Sequence, residues 1–173
     1  MKIIKDLNFF TTDTTLLAQN LIGKWIETKI NGKTVCAQIL ETEAYLGVND
    51  SACHSFNNKR TMRTEPMYNE GGTIYIYLCY GLHYLFNIVS KNKDEPEAVL
   101  IRGVTGANGP AKATKLLNID KSLNGESIIN NPKICIKDDG KKYSFTKTTR
   151  VGIDYAKEID KNAPLRFILK EIW

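Results

Sequence analysis

The dipeptide Asn31-Gly32, set between Trp25-Ile-Glu-Thr-Lys-Ile30 and Lys33-Thr-Val-Cys-Ala-Gln-Ile-Leu40, constrains the fold of this chain most. A two-residue type I′ turn needs positive φ twice, and Asn-Gly between β-prone runs is its strongest short signal. The second strand continues into Glu41-Thr-Glu-Ala-Tyr45, and further β-prone runs lie at 73–80, 84–90 and 98–104. Residues 133–137 and 141–145 read as a second hairpin across Asp138-Asp-Gly140, and 164–170 as a last strand. Two segments read as helices. Thr12 or Asp13 caps the first, Leu16, Leu17 and Leu21 give its apolar stripe, and Gly23 stops it. Pro110 opens the second, over 110–117. Residues 47–72 are polar without a clean period and read as a long structured loop holding one short helix. Residues 119–132 form another polar loop. The fold expected is α+β, a single domain over residues 1–173: a mainly antiparallel curved β-sheet with a few short helices and long loops.

Composition narrows the function classes. With 173 residues and 42% hydrophobic side chains, the chain can bury a core without disulfides or metals, which excludes a disordered chain or a small disulfide scaffold. The net charge of +5 favours an anionic partner without demanding one. No stretch approaches the roughly 18 apolar residues of a membrane span, and the N-terminus has no secretory pattern. Cys36, Cys53, Cys79 and Cys135 show no C-x-x-C spacing. They read as reduced thiols of a cytoplasmic protein.

Three groups of residues could carry chemistry. Glu41, Glu43 and Tyr45 share one face of a strand by its period of two, either as a solvated face or as a pair of carboxylates and a phenol at a site. Residues 73–84 hold five ring side chains, which suit a core strand or a surface on which planar bases stack. Tyr80-Gly81 ends that strand on a turn able to project the ring outward. His54 and His83 are the only histidines. A zinc site of Cys53, His54 and His83 is disfavoured, because adjacent Cys and His rarely ligate one metal and no deaminase motif is present. P-loop, nucleophile-elbow and Rossmann signatures are absent as well.

The order of the motifs resembles the alkyladenine (3-methyladenine) DNA glycosylases. The resemblance rests on Leu17-Ala-Gln-Asn-Leu-Ile-Gly-Lys24, Glu41-Thr-Glu-Ala-Tyr-Leu-Gly47, Asp50-x-Ala-x-His54-Ser55 and Gly72-Thr-Ile-Tyr-Ile-Tyr-Leu-Cys-Tyr-Gly-Leu-His83. It continues through Asn87-Ile-Val-Ser90, Ala98-Val-Leu-Ile-Arg102, Gly109-Pro-Ala-Lys112, Arg150-Val-Gly-Ile153 and Pro164-Leu-Arg-Phe167. The chain departs from the family in the loop Arg60-Thr-Met-Arg-Thr-Glu-Pro-Met67, where Thr-Pro-Arg-Asn is the pattern, and at Gly103-Val-Thr-Gly106, where Ala-Leu-Glu-Pro is.

The resemblance implies a monofunctional glycosylase of base excision repair acting on double-stranded DNA that contains damaged purines. It implies a cytoplasmic, nucleoid-associated bacterial monomer, with no cofactor, no metal and no membrane. Glu43 would be the base that activates water, while Glu41 stays structural. Arg102 and the carbonyl of Val151 would hold that water, and Arg102 would keep Glu43 ionised. Tyr45, Tyr77 and His54 would wall the extruded base, and Asn87 would crowd the 2-amino group of guanine. Tyr80 would be the wedge left in the duplex. Lys112, Lys115, Lys59, Arg60 and Arg63 would line the phosphates. A nucleic-acid-binding module without catalysis is the alternative. Excision at a lesion separates the two.

Overall fold

Ten strands are placed by the computed structural model, which describes residues 1–172, with side chains through Lys170. Trp173, inside the expected span of the domain, lies outside the described residues. The strands are β1 (Lys2–Ile3), β2 (Trp25–Ile30), β3 (Lys33–Tyr45), β4 (Ile74–Cys79) and β5 (His83–Ser90), followed by β6 (Glu97–Val104), β7 (Ala107–Asn108), β8 (Ile134–Asp138), β9 (Tyr143–Thr148) and β10 (Arg166–Ile172). Four short helices accompany them: α1 (Leu7–Phe10), α2 (Thr14–Leu21), α3 (Pro110–Leu116) and α4 (Glu158–Asn162). The sheet runs β1-β8-β2-β3-β6-β5-β4, with β10 on β3 and β9 on β10, and every pairing is antiparallel. The α+β antiparallel expectation is met.

The first hairpin forms on Asn31 (φ 51) and Gly32 (φ 73). Its register carries Trp25 opposite Gln38 through Ile30 opposite Lys33. The second expected hairpin does not form. β8 has both edges taken, by β2 and β1, so β9 crosses to β10 instead. The intervening turn is held by Tyr143, whose hydroxyl donates to Asp139 at 2.5 Å. Asp13 caps α2 by accepting from Leu16 N at 3.0 Å. The buried stripe of α2 is Thr14, Leu17, Ala18 and Leu21; Leu16 is exposed, a correction to the stripe expected. The 47–72 loop holds three single turns of 3-10 helix rather than one helix.

Alternation along the central strands separates two faces. Ile74, Ile76, Phe86, Ile88, Val99 and Ile101 point into the main core with Leu17, Leu21, Phe10 and Phe167. That side is closed by α2 and α3. Tyr75, Val89 and Ala98 point the other way, beneath Cys53, Met67 and Tyr68 of the long loop. Register then lines up chemistry across the second face. Tyr75 pairs with Asn87, Asn87 with Leu100, Leu100 with Glu43, and Glu43 with Arg166. One row across five strands brings together residues from 43 to 166.

Candidate active site

That second face floors a cavity of about 450 Å³, a size suited to a small ligand. Tyr45, His54, Tyr77, Tyr80, Asn87, Arg102 and Val151 all line it. Glu43 lies just beneath with no exposed surface. The solvated-face reading of Glu41 and Glu43 is thereby overturned: both are buried.

Glu43 is gripped from two sides. Val151 N donates to Oε1 at 2.9 Å, and the Tyr45 hydroxyl donates to Oε2 at 2.8 Å. Burial pushes the Glu43 carboxyl above its usual range, outweighing the opposing effects of the Val151 N–H, the Arg102 charge and the Tyr45 hydroxyl. Arg102 acts in the expected direction, favouring the charged form, and desolvation outweighs it. Burial, then the Glu43 charge, raise the Tyr45 phenol well above its usual value, so it stays protonated and able to donate.

Arg102 sits in a bulge. Glu41 pairs with Gly103 and Thr42 with Ile101, which leaves Arg102 with no partner on β3. Its Nε lies 2.9 Å from Glu41 Oε1 and 3.7 Å from Glu43 Oε1. That N–H is aligned on neither oxygen and is a buried donor without a partner. Arg166 Nε donates to the same Glu41 oxygen at 2.5 Å. Glu41 is therefore the anchor of two arginines. The departure at Gly103 has a local reason, since a Cβ there would meet Glu41 Cβ at 3.2 Å and Oε2 at 3.3 Å. Val151 contacts Glu43 through its N–H, in addition to the carbonyl that the resemblance assigns to the water.

The walls are aromatic. His54 stands edge-on to Tyr77 at 4.5 Å, and Tyr75 packs 5.6 Å from Tyr77. Tyr75 was missed in the sequence; it is buried, and its hydroxyl hydrogen-bonds His54 Nδ1 at 2.9 Å. Burial, with the charges of Arg63 and Lys59, lowers His54 to about 4, so the ring is neutral near pH 7. Asn87 donates from Nδ2 to the carbonyls of Tyr75 (3.1 Å) and Leu85 (3.4 Å), which pins its amide plane at the cavity wall. At the rim, Tyr80 (φ 50) and Gly81 (φ 69) form the tip of the β4–β5 hairpin. Leu82 N closes the turn on Cys79 O at 3.1 Å. Tyr80 is 91% exposed.

The cavity is hydrocarbon and aromatic, with a buried carboxylate at its floor and an exposed ring at its rim. The methylpurine-DNA glycosylase (MPG) family model matches residues 8–106 and 104–172. The chain belongs to this family. Methylpurine-DNA glycosylase relatives include a Borrelia garinii subsp. bavariensis protein named "Putative 3-methyladenine DNA glycosylase", 42% identical over 96% of both chains. Proteins of the same name from Natranaerobius thermophilus (40% identical, 88% of this chain and 89% of that one) and Chlamydia felis (40%, 94% of both) are similar as well.

Of the basic residues, Arg60 is half-exposed and paired bidentately with Glu65 (2.9 and 2.6 Å) and with Asp94 (3.0 Å), surface contacts that a phosphate would have to displace. Lys112 and Lys115 are exposed on α3, whose first residue, Pro110, lines the cavity. Lys59 lines a neighbouring hollow that shares Cys53, His54, Arg63 and Tyr155 with the main cavity. Among the described residues no group of three or more His, Cys, Asp or Glu could hold a metal ion, and no helix is long and apolar enough to cross a membrane.

Proposed function

We propose that this chain flips alkylated or deaminated purines out of duplex DNA and hydrolyses their N-glycosidic bond, leaving an abasic site. The observation that carries this is the buried Glu43 beneath an aromatic cavity, 3.7 Å from a buried Arg102 N–H that has no hydrogen-bond partner. Each Glu43 oxygen accepts one protein hydrogen bond and keeps a second lone pair. A water placed between that lone pair and Arg102 is oriented for attack at C1′. As its oxygen bonds to C1′, Glu43 takes its proton and the glycosidic electron pair leaves with the base. The carboxylate charge also favours the oxocarbenium-like sugar. Stacking on Tyr45, Tyr77 and His54 holds the base, most strongly a cationic alkylpurine. DNA bound without catalysis gains nothing from this buried carboxylate, which is why the binding-module reading is the weaker one.

The test is excision from duplex oligonucleotides carrying 3-methyladenine, 7-methylguanine, hypoxanthine or ethenoadenine, read as strand breakage after alkali. Borohydride trapping on the same samples checks for a Schiff base. Breakage without trapping is the expected result; no breakage on any lesion overturns the reading.

The raised Glu43 carboxyl predicts the pH profile. Glu43 works ionised, so excision rises with pH through its folded-state pKa. Burial places that acid limb above the usual glutamate range. His54, at about 4, contributes only below it. Single-turnover rates across the acid range check this, and a limb at or below the ordinary glutamate value contradicts it.

Two cavity residues carry further predictions. Tyr80→Ala is expected to slow excision from duplex about tenfold or more, a share of the 1–3 kcal/mol that one base–aromatic stack is worth. The loss should be much smaller on a lesion in single strand, and equal losses on both substrates would make Tyr80 a folding residue. Asn87→Ser should raise removal of guanine-type bases relative to hypoxanthine. The pinned amide of Asn87 leaves a 2-amino group crowded and poorly paired, a penalty of about 1–3 kcal/mol. Parallel falls in 7-methylguanine and hypoxanthine excision would assign Asn87 to the fold instead.

A further inference from the structure

Arg150 has no exposed side-chain surface and is not part of the cavity wall. Its Nη1 donates to Asp50 Oδ2 at 2.5 Å and to Ala44 O at 3.0 Å; its Nη2 donates to Asp50 Oδ1 at 2.9 Å and to Asp160 O at 3.2 Å. Asp50 is fixed in turn, accepting from Leu46 N at 2.9 Å and Ala52 N at 3.0 Å. The guanidinium carbon lies 4.8 Å from the centre of the Tyr45 ring.

Each of these contacts leads to Glu43. The next residue after Arg150 is Val151, whose N–H holds Glu43 Oε1. The ring that Arg150 covers is Tyr45, whose hydroxyl holds Oε2. The carbonyl that Nη1 holds belongs to Ala44, which lies between Glu43 and Tyr45. A planar guanidinium locked by a bidentate carboxylate has one orientation. Both donors to Glu43 are therefore set by one rigid group.

We propose that Arg150, clamped by Asp50, is the positioning residue of Glu43: it fixes the two hydrogen-bond donors that aim the carboxylate. This rests on Glu43 being the base. Arg150 never meets the substrate; it acts through Val151 and Tyr45. The competing role for the pair is purely structural, fastening the 46–52 loop to the 150–160 segment.

Arg150→Lys separates the two. Lysine keeps a positive charge opposite Asp50 and loses the fork and the flat face. Single-turnover excision and lesion-duplex Kd are measured for the parent, Arg150→Lys, Tyr45→Phe and the double variant over the acid and neutral range. Expected for Arg150→Lys is an unchanged Kd with a rate lower by about 10–10²-fold, the scale of a small misplacement of a reacting group. Its acid limb should move to higher pH, because slack in the Val151 and Tyr45 hydrogen bonds withdraws two contacts that favour the charged carboxylate. The other charged or titratable groups near Glu43 are Arg102 on β6, Arg166 on β10, Glu41 on β3 and Tyr77 on β4, and none is altered in Arg150→Lys. The double variant should lose less than the product of the single losses, since Arg150 acts partly through the Tyr45 hydroxyl.

A rate lowered equally at every pH, with Kd weakened in step, overturns the proposal in favour of a structural role. So do strictly multiplicative losses, or an Arg150→Lys chain that does not fold. Glu43→Gln is run alongside: if the parent is inactive, or Glu43→Gln matches the parent, the assignment of Glu43 fails instead. A fast parent, a slow Glu43→Gln and a parent-like Arg150→Lys defeat the positioning role alone.

Discussion

Glu43→Gln is expected to slow excision about 10²–10⁴-fold, the usual contribution of a positioned general base, while lesion-duplex Kd stays near the parent value. The geometry allows a clean exchange. The amide oxygen can accept from Val151 N–H as Oε1 does, and the amide nitrogen can donate to the Tyr45 oxygen once that hydroxyl turns. What disappears is the negative charge that takes the water's proton and favours the sugar cation. The same substitution should raise stability at neutral pH. The Glu43 pKa is raised in the folded state, so the folded chain holds its proton more tightly than the unfolded chain does. Stability therefore falls as pH climbs from the ordinary glutamate value through the raised one, and the charged form is a burden above both. Glutamine carries no such burden. The gain in a neutral melt should vanish below the ordinary glutamate pKa. Matching single-turnover rates for mutant and parent would dispose of the assignment, whatever the melts show.

Much of the scaffold was legible because its signals are local. Asn31-Gly32 demands positive φ, Asp13 stands where a cap is needed, and alternating apolar runs mark β4, β5 and β6. The wrong hairpin at 133–145 shows the limit. Two β-prone runs joined by Asp-Asp-Gly look paired, and only the competition of β1 and β2 for the edges of β8 sends β9 elsewhere. The site divides in the same way. The alternation of Glu41, Glu43 and Tyr45 is a local fact, but the burial that lifts the Glu43 pKa needs β6 and β10, which flank it from far along the chain. Tyr75 looked like any aromatic of its strand until register set it beside Asn87 and packing brought it to His54. Nothing near Arg60 in the sequence announces Asp94, which the fold brings to it across 34 residues. Asp50 and Arg150 are 100 residues apart, and nothing in either neighbourhood announces the other.

That pair should also dominate the response of the fold to mutation. Asp50→Ala is expected to remove about 3–5 kcal/mol of stability, the range for stripping one partner from a buried ion pair. Arg150 would stay enclosed with two carbonyls and without its paired carboxylate, and Leu46 N and Ala52 N would lose their acceptor. Against a typical total of about 5–15 kcal/mol, that is a large fraction. Glu65→Ala is the contrast. It removes one of the two partners of Arg60 at an exposed position, where a salt bridge is worth about 0–1 kcal/mol. Urea melts of both variants decide it: a loss for Asp50→Ala no larger than for Glu65→Ala would mean that water reaches the guanidinium and the pair is not sealed. The sharper test is Asp50→Ala combined with Arg150→Met. The main penalty is the charge left behind rather than the attraction lost, so the double variant should be more stable than Asp50→Ala alone. Removing the second partner leaves no unpaired guanidinium beneath Tyr45, and the chain should recover stability without recovering the geometry that holds Glu43.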